Sequence, residues 1–261
     1  MDWGMKNRLS KIIKPKDGHT VMLAVDHGYF MGPTTGLEKL DEMVKPLLPY
    51  ADVLMPTRGG LRNYIPPETD NPICLSVSGG TSIINETNLL HEGIIVSMDD
   101  AIRLNVSAVA FSILVGQPFE RDTLLAFTQT IDEANRYGIP VLAVTAVGRG
   151  LGKDAKYLSL ASRMAAELGA SIVKTYYCKD FEKIVESCPV PIVIAGGKKV
   201  PEKDERQIAY DALQAGAIGV DMGRNIVQRS SPGGMMKAVN AIVHKNATPK
   251  DAFEIFKENE K

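Results

Sequence analysis

The sequence predicts an α/β fold, a (β/α)8 barrel of the TIM-barrel type. Short apolar runs rich in Val, Ile and Ala alternate along the chain with longer stretches of helical periodicity, a pattern typical of βα units. Eight such apolar runs occur, the number that closes a barrel. No linker rich in Pro, Gly or Ser divides the 261 residues. We therefore expect a single domain over 1–261, with an N-terminal cap segment over about residues 1–18.

The eight predicted strands should form a parallel sheet covered by helices, because strands that alternate with helices pair in parallel. They are predicted at residues 21–26, 53–55, 73–77, 108–113, 141–145, 171–175, 192–195 and 219–222. An open doubly wound sheet would give the same alternation. It is the less favoured arrangement, because no GxGxxG motif follows the first predicted strand and no linker separates two halves.

The helical stretches lie between these strands, and several of them end at a glycine or a proline. They are predicted at residues 37–48, 120–136, 155–168, 179–187, 205–214 and 234–244. The cap segment includes Trp3, and residues 257–261 are predicted to be a frayed, charged end. Helices in these places would cover the outer face of the barrel.

Composition favours an ordinary soluble protein and excludes some partners. The apolar content is 44%, the charged content is 23% and the net charge is -1, so nothing attracts the chain generally to nucleic acid or to a membrane. No apolar run approaches the roughly 18 residues of a membrane span, and residues 1–9 lack the apolar core of a signal peptide. We expect a cytoplasmic protein, in which an anionic substrate would need a local positive site.

The three cysteines are Cys74, Cys178 and Cys188, an odd number without CxxC spacing. This pattern suggests neither a disulfide framework nor a zinc site, and a reducing compartment is the default expectation. A role as acyl carrier for Cys178 is conceivable, since it lies four residues after Lys174. A small buried apolar side chain is the more common role of a free cysteine, and it is the interpretation we favour.

Lys174 is a charged residue inside a predicted strand that should be buried on both faces, which carries a desolvation cost. Alternation along the strand places Ile172 and Lys174 on one face and Val173 on the other. If that face points inward, burial lowers the pKa of the amine and leaves a free base able to attack a carbonyl. The alternatives are that Lys174 ends its strand early and reaches solvent, or that it pairs with an inward carboxylate of the framework.

Asp26 and His27 end the first predicted strand, at the face of a barrel that carries catalytic groups. Since adjacent residues point to opposite faces, one of the two should face the barrel axis. We expect Asp26 to hold Lys174 and to move protons, with His27 as a second catalytic candidate. The alternative is a plain turn at Gly28. A zinc ligand is less favoured at His27, because the other histidines lack matching spacing.

The last two predicted strands are each followed by a loop suited to phosphate. Gly196, Gly197 and Lys198 follow the seventh strand, and Gly223 and Arg224 follow the eighth. Glycines allow backbone N–H groups to approach an anion, a helix that begins near the arginine adds its positive end, and a guanidinium can donate two hydrogen bonds to phosphate oxygens. Barrels often bind phosphate after these two strands, so the sequence predicts a phosphorylated substrate.

Five short motifs, in family order and spacing, resemble the class I aldolases of the archaeal fructose-bisphosphate aldolase and deoxyribose-phosphate aldolase group. The motifs span nearly the whole chain and are Asp26-His27-Gly28, Ser78-Gly79-Gly80-Thr81, Ile172-Val173-Lys174-Thr175, Ala195-Gly196-Gly197 and Gly223-Arg224-Asn225-Ile226. The resemblance implies a TIM barrel in which Lys174 forms a Schiff base with a small phosphorylated ketone. It also implies a ring-like homo-oligomer, such as a decamer, and we expect no bound cofactor and no metal.

Further motifs are similar to a thiolase branch of this group that acts in the breakdown of autoinducer-2. They are Asp2-Trp3-Gly4-Met5, Asp26-His27-Gly28-Tyr29-Phe30, the segment 32–37 and Lys174-Thr175-Tyr176-Tyr177. This resemblance implies transfer of the acetyl group of 3-hydroxy-2,4-pentanedione 5-phosphate to coenzyme A. Coenzyme A would then be a co-substrate, and dihydroxyacetone phosphate would be released.

Val147 marks a departure from the aldolases of this group and from its aminodideoxyheptulosonate synthases. Those enzymes carry a Tyr-Pro-Arg-Gly motif after the fifth strand, where this chain reads Val-Gly-Arg-Gly. A valine cannot transfer a proton, so the activity of a plain fructose-bisphosphate aldolase becomes less favoured. Tyr29, Tyr176 or Tyr177 could supply the missing phenol instead. Two alternatives stay open: a class I aldolase or transaldolase of sugar phosphates, and a non-catalytic phosphosugar-binding protein.

Overall fold

Eight parallel strands form one sheet in the computed structural model, which describes residues 1–84, 91–148, 151–197 and 201–259. The strands are β1 (Thr20–Ala24), β2 (Val53–Met55), β3 (Cys74–Ser76), β4 (Ala108–Val115), β5 (Val141–Val147), β6 (Ile172–Tyr176), β7 (Ile192–Ala195) and β8 (Gly219–Met222). All eight predicted strands are confirmed. Their bounds coincide with the predicted ones in β2, β7 and β8 and differ by one or two residues elsewhere.

The sheet closes into a barrel. Each strand pairs with its neighbour in the order β2-β1-β8-β7-β6-β5-β4-β3. A parallel bridge between Leu54 of β2 and Ile73, just before β3, joins the two ends of that order. The predicted (β/α)8 barrel is therefore confirmed, and the carboxyl ends of all eight strands meet at one face, where barrel enzymes carry their active sites.

Helices cover the barrel, and the longest of those described lie close to their predicted places. They are α1 (Trp3–Ile12), α2 (Gly28–Met31), α3 (Leu40–Val44), α4 (Arg58–Tyr64), α5 (Met98–Arg103), α6 (Glu120–Arg136), α7 (Ala155–Glu167), α8 (Phe181–Ser187), α9 (Glu202–Gln214), α10 (Arg224–Val227), α11 (Pro232–Lys245) and α12 (Pro249–Glu258). Across the described ranges, none of these helices is both long enough and apolar enough to span a bilayer.

Two predictions, one about a helix and one about the C-terminal end, were wrong in part. The helix expected over 37–48 is divided into α3 and a 3-10 helix, Lys45–Tyr50, because Pro46 and Pro49 have no N–H to donate to a continuing α-helix. The end expected to fray from residue 257 is instead helical as far as Glu258. Thr248 and Asp251 form a capping box at the start of α12, and Phe256 is buried against the core.

The predicted N-terminal cap is helix α1. Asp2 caps it by accepting a hydrogen bond from the backbone N–H of Met5 at 2.7 Å. Ile12, near its end, is fully buried and packs with Met22 and Ile172, which are inward residues of the strands. The helix therefore seals the amino-terminal end of the barrel interior, and substrate must enter from the opposite, carboxyl-terminal face.

A two-stranded hairpin follows β3. Ser78–Gly79 pairs antiparallel with Gly93–Ile94. The sequence predicts a loop for the small residues after the third strand, because strands of two residues are too short to show a periodic pattern. The hairpin places Glu92 at the mouth of the barrel, next to β4.

Candidate active site

A cavity of about 170 Å³ opens at the carboxyl ends of the strands. The predicted site residues that line it are Asp26, His27, Lys174, Gly196, Gly197, Gly223 and Arg224. Lys198, which we also predicted to bind phosphate, lies outside the described residues. The fold thus brings to one concave surface seven residues that are spread over almost 200 positions of the sequence.

Lys174 points into this cavity from β6, as alternation along the strand predicts. Its side chain is 9% exposed, and its Nζ lies 2.9 Å from Oδ2 of Asp221, a fully buried residue of β8. The inward carboxylate considered as an alternative partner is thus present. We did not single out Asp221, although a charged residue inside the apolar strand Gly-Val-Asp-Met is the same signal that singled out Lys174.

The expectation of a lowered pKa for Lys174 was wrong. Burial alone lowers the pKa of the amine, but the negative charges of Asp221 and Asp26 and the hydrogen bond with Asp221 outweigh it, and the pKa is raised. Burial in turn raises the pKa of Asp221, with the positive charge of Lys174 opposing it. The resting amine is therefore an ammonium ion, held beside a carboxylate that accepts a proton more readily than an exposed one.

Asp26 lies just beyond β1 and lines the cavity. Its Oδ2 accepts a hydrogen bond from Oγ of Ser76 at 2.6 Å. Asp26 acts on Lys174 through its charge, whereas the direct ion pair is made by Asp221. The cavity therefore contains two carboxylates near one amine, where the sequence predicted a single one.

His27 is buried at the start of α2, with its ring against Gly223. Burial and the positive charges of Arg224 and Lys174 lower its pKa to about 4, so the imidazole is neutral at neutral pH. Its Nε2 is buried and has no hydrogen-bond partner among the described residues. Over the same part of the chain, no cluster of three or more His, Cys, Asp or Glu could hold a metal ion. The imidazole can thus exchange a hydrogen bond with a ligand in the cavity.

The two predicted phosphate loops contact each other. Nδ2 of Asn225 donates to the carbonyl of Gly196 at 2.6 Å and so joins the loop after β8 to the loop after β7. Gly223 cannot carry a larger side chain, because a Cβ there would lie 2.5 Å from the carbonyl oxygen of Ala24 and 3.1 Å from the His27 ring. Arg224 follows directly and lines the cavity. The glycines, the amide and the guanidinium therefore lie together at one corner of the cavity, the predicted phosphate corner.

Two buried ionisable residues, Arg229 and Glu205, lie next to this corner. Nε of Arg229 donates to the carbonyl of Asn225 at 2.9 Å, and its Nη2 donates to Oδ1 of the same residue at 3.0 Å. Nη2 also lies 3.8 Å from Oε2 of Glu205 in α9. Burial raises the pKa of Glu205 to about 8, with Arg229 opposing that rise. Sequence reasoning missed this pair, because charged residues are usually exposed.

Of the three tyrosines proposed to replace the missing phenol, Tyr29 and Tyr176 line the cavity. The Tyr177 ring packs 5.4 Å from that of Phe181 in the helical layer. Val147 ends β5 as a buried apolar residue, and residues 149–150 of its loop lie outside the described ranges. Tyr29 and Tyr176 are therefore the tyrosines in position to reach a substrate.

Cys178 is poorly suited to carry an acyl group. Its Sγ donates to the carbonyl of Lys179 at 3.2 Å. Burial and the nearby carboxylates of Asp154, Asp180 and Glu182 raise the pKa of the thiol. Because the thiolate is the nucleophilic form, this environment makes the cysteine less reactive.

The barrel, the buried lysine at its carboxyl face and the predicted phosphate corner are typical of a class of protein, the barrel enzymes that act through a lysine. A family model described as DeoC/LacD family aldolase matches residues 20–229 of this chain. The chain belongs to that family and is an aldolase-family enzyme. The predicted family resemblance is confirmed.

Individual relatives agree with this assignment. The chain is 53% identical over 259 residues to a 3-hydroxy-5-phosphonooxypentane-2,4-dione thiolase of an Enterobacter species, covering 99% of this chain and 87% of that protein. It is 52% identical over 257 residues to the thiolase of the same name from Photorhabdus laumondii, covering 98% and 88%. A solved Schiff-base-forming fructose-1,6-bisphosphate aldolase superposes with a TM-score of 0.83 at 23% identity, covering 92% of this chain and 100% of the other. That structure supports the fold.

Proposed function

We propose that this chain is a Schiff-base thiolase that transfers the acetyl group of 3-hydroxy-2,4-pentanedione 5-phosphate to coenzyme A and releases dihydroxyacetone phosphate. The observation that carries the proposal is the buried Lys174 amine in the cavity, 2.9 Å from a carboxylate and on the same wall as a phosphate corner. The two relatives above are named for this diketone. The valine at 147 favours an attacking thiol over an aldolase reaction that needs a phenol there.

Binding would begin at the phosphate. Gly197 and Gly223 present backbone to the anion, and Arg224 donates charge-assisted hydrogen bonds. The ketone next to the phosphate then lies near Lys174. Asp221 takes the extra proton of the ammonium ion, and the free amine attacks that ketone. Asp26, a carboxylate at rest, relays that proton from Asp221 to the carbinolamine oxygen, which leaves as water.

Cleavage would follow from the positive charge of the resulting iminium. The thiolate adds to the acetyl carbonyl, and the bond between the acetyl carbon and the hydroxyl-bearing carbon breaks, with its electron pair passing into the iminium to give an enamine. The neutral His27 can hydrogen-bond a substrate oxygen through Nε2. Protonation of the enamine and hydrolysis of the iminium then free Lys174, with Asp26 again relaying a proton, now from the attacking water to the amine.

The first test traps the imine. The protein is incubated with dihydroxyacetone phosphate and reduced with borohydride, and the added mass is located by peptide mapping. We expect the adduct on Lys174, its absence in Lys174→Met, and its retention in Cys178→Ala. No adduct in the wild-type protein that still binds phosphate would favour the phosphosugar-binding alternative.

The second test identifies the acceptor. With the phosphorylated diketone as substrate, we expect acetyl-coenzyme A and dihydroxyacetone phosphate to form together, at a rate that depends on coenzyme A. A rate unchanged by coenzyme A would favour the aldolase or transaldolase alternative. The ring-like homo-oligomer stays a prediction, which light scattering of the purified protein checks.

A further inference from the structure

Glu92 is a buried carboxyl group in the cavity that contains Lys174, and the steps above do not use it. The residue is 5% exposed and lines the cavity at the base of the hairpin. Oγ of Ser78 donates to its Oε2 at 2.5 Å, and the backbone N–H of Ser112 donates to that Oγ at 2.9 Å. Burying a carboxylate is costly, so its orientation toward the cavity requires an explanation.

The place of Glu92 in the barrel is opposite the phosphate corner. The Ser78 hydroxyl that binds it belongs to the hairpin after β3 and accepts a hydrogen bond from Ser112 of β4, whereas the phosphate loops follow β7 and β8. In the strand order of the closed barrel, β3 lies three strands from β8, and β4 lies three strands from β7. A five-carbon diketone with its phosphate at the corner and its inner ketone at Lys174 therefore extends its acetyl end toward Glu92.

Tyr29 is a second ionisable group at this end of the cavity. Its hydroxyl lies 3.4 Å from Oε1 of Glu92 and its side chain is partly exposed at the mouth. Burial and the neighbouring Glu92 raise the pKa of the phenol, so that it stays protonated and donates. Burial also raises the pKa of Glu92, partly offset by the Ser78 hydroxyl, and Asp26 adds to the rise. A carboxylate with a raised pKa is a stronger base.

We propose that Glu92 is the catalytic base that takes the proton of the attacking thiol and returns it to the hydroxyl-bearing carbon of the substrate. This inference rests on the proposed function. The Glu92 carboxylate accepts the S–H proton as sulfur bonds to the acetyl carbon. The carbon-carbon bond then breaks and its electron pair forms the enamine on Lys174. Glu92 delivers its proton to the hydroxyl-bearing carbon, which becomes the hydroxymethyl group of the product, and is a carboxylate again before water hydrolyses the iminium.

A partial reaction isolates this role, because it needs no coenzyme A. Dihydroxyacetone phosphate bound as an imine on Lys174 exchanges a hydrogen of its hydroxymethyl carbon with D2O only if a base removes it. The experiment compares the wild-type protein with Glu92→Gln, Glu92→Asp and Glu68→Gln, the last an exposed carboxyl as matched control. Each variant is assayed for borohydride trapping at Lys174, for deuterium exchange by mass spectrometry, and for acetyl transfer to coenzyme A.

We expect Glu92→Gln to keep trapping at the wild-type level while exchange and acetyl transfer both fall by about a hundredfold or more, the usual contribution of a general base. Glu92→Asp should recover part of both, and Glu68→Gln should match the wild type. Exchange and transfer at wild-type rates in Glu92→Gln would overturn the proposal, and so would loss of trapping, which would mean that Glu92 only maintains the fold. Absence of trapping in the wild-type protein would instead refute the proposed function on which this role depends.

Discussion

Nζ of Lys174 and Oδ2 of Asp221 lie 2.9 Å apart across two strands that are not neighbours, with β7 between them. The pair joins opposite charges inside a barrel, where the side chains are almost fully removed from solvent. Removing one partner of such a pair leaves the other charge uncompensated. The charge of the amine, and therefore its reactivity, depends on this carboxylate, which together with Asp26 outweighs the effect of burial on the pKa of Lys174.

The first prediction concerns the titration of Lys174. In Asp221→Asn the isosteric amide no longer favours the ammonium ion, so the pKa of Lys174 falls and the free amine exists at lower pH. We expect the pH of half-maximal imine trapping to move down by about one unit or more, the usual effect of losing a close opposite charge. Asp26→Asn should move it less, because Asp26 contributes less to the shift. An unmoved midpoint in Asp221→Asn would contradict the assignment.

The second prediction concerns Arg224. In Arg224→Gln we expect the concentration of dihydroxyacetone phosphate that gives half-maximal trapping to rise by about tenfold to a hundredfold, the worth of a charge-assisted hydrogen bond. Trapping at saturation should be unchanged, because the amine is untouched. Arg136→Gln, at an exposed position near the end of α6, is the matched control. A rise of equal size in both variants would indicate a general charge effect and not a phosphate contact.

Much of this architecture is predictable from the sequence, because it depends on local periodicity. Alternation along residues 171–175 places Lys174 inward, and apolar runs between glycines and prolines locate all eight strands. The glycine loops after the last two strands are predictable for a similar reason. Each is a local feature whose position in a barrel is fixed by the fold.

The interactions across the barrel are not predictable in this way. The predicted direction of the Lys174 pKa shift was wrong, because the shift depends on Asp221, 47 residues further along the chain. Local periodicity does not show that the strands of these two residues are separated by a single strand. Glu92 was missed because its position depends on pairing in a hairpin of two-residue strands. Asn225 was quoted only as part of a motif, while its amide in fact joins the two phosphate loops.

The third prediction concerns the pH dependence that His27 gives to stability. Its pKa falls from 6.5 to about 4 on folding, so the unfolded chain binds more protons in that interval and stability is lost as pH falls through it. The full difference between the two pKa values corresponds to about 3 kcal/mol in the free energy of unfolding. In His27→Gln, which cannot protonate, we expect a smaller loss of stability between about pH 7 and about pH 5, measured by urea unfolding. Equal losses in both proteins would show that the imidazole is not held neutral.

The fourth prediction concerns His244, which acts in the opposite direction. Its Nδ1 and Nε2 lie 2.7 Å from carboxylate oxygens of Asp17 and Asp52, at the amino-terminal end of the barrel. The hydrogen bond with Asp52 is the largest cause that raises the pKa of His244, and burial opposes it. The protonated imidazole therefore contributes its full stabilisation below the ordinary pKa of 6.5, and this stabilisation is lost as the pH rises through the raised pKa. We expect His244→Gln to lower Tm by about 4 °C at about pH 6 and by much less at about pH 9. A deficit of equal size at both pH values would mean that His244 stabilises the chain by packing and not by its charge.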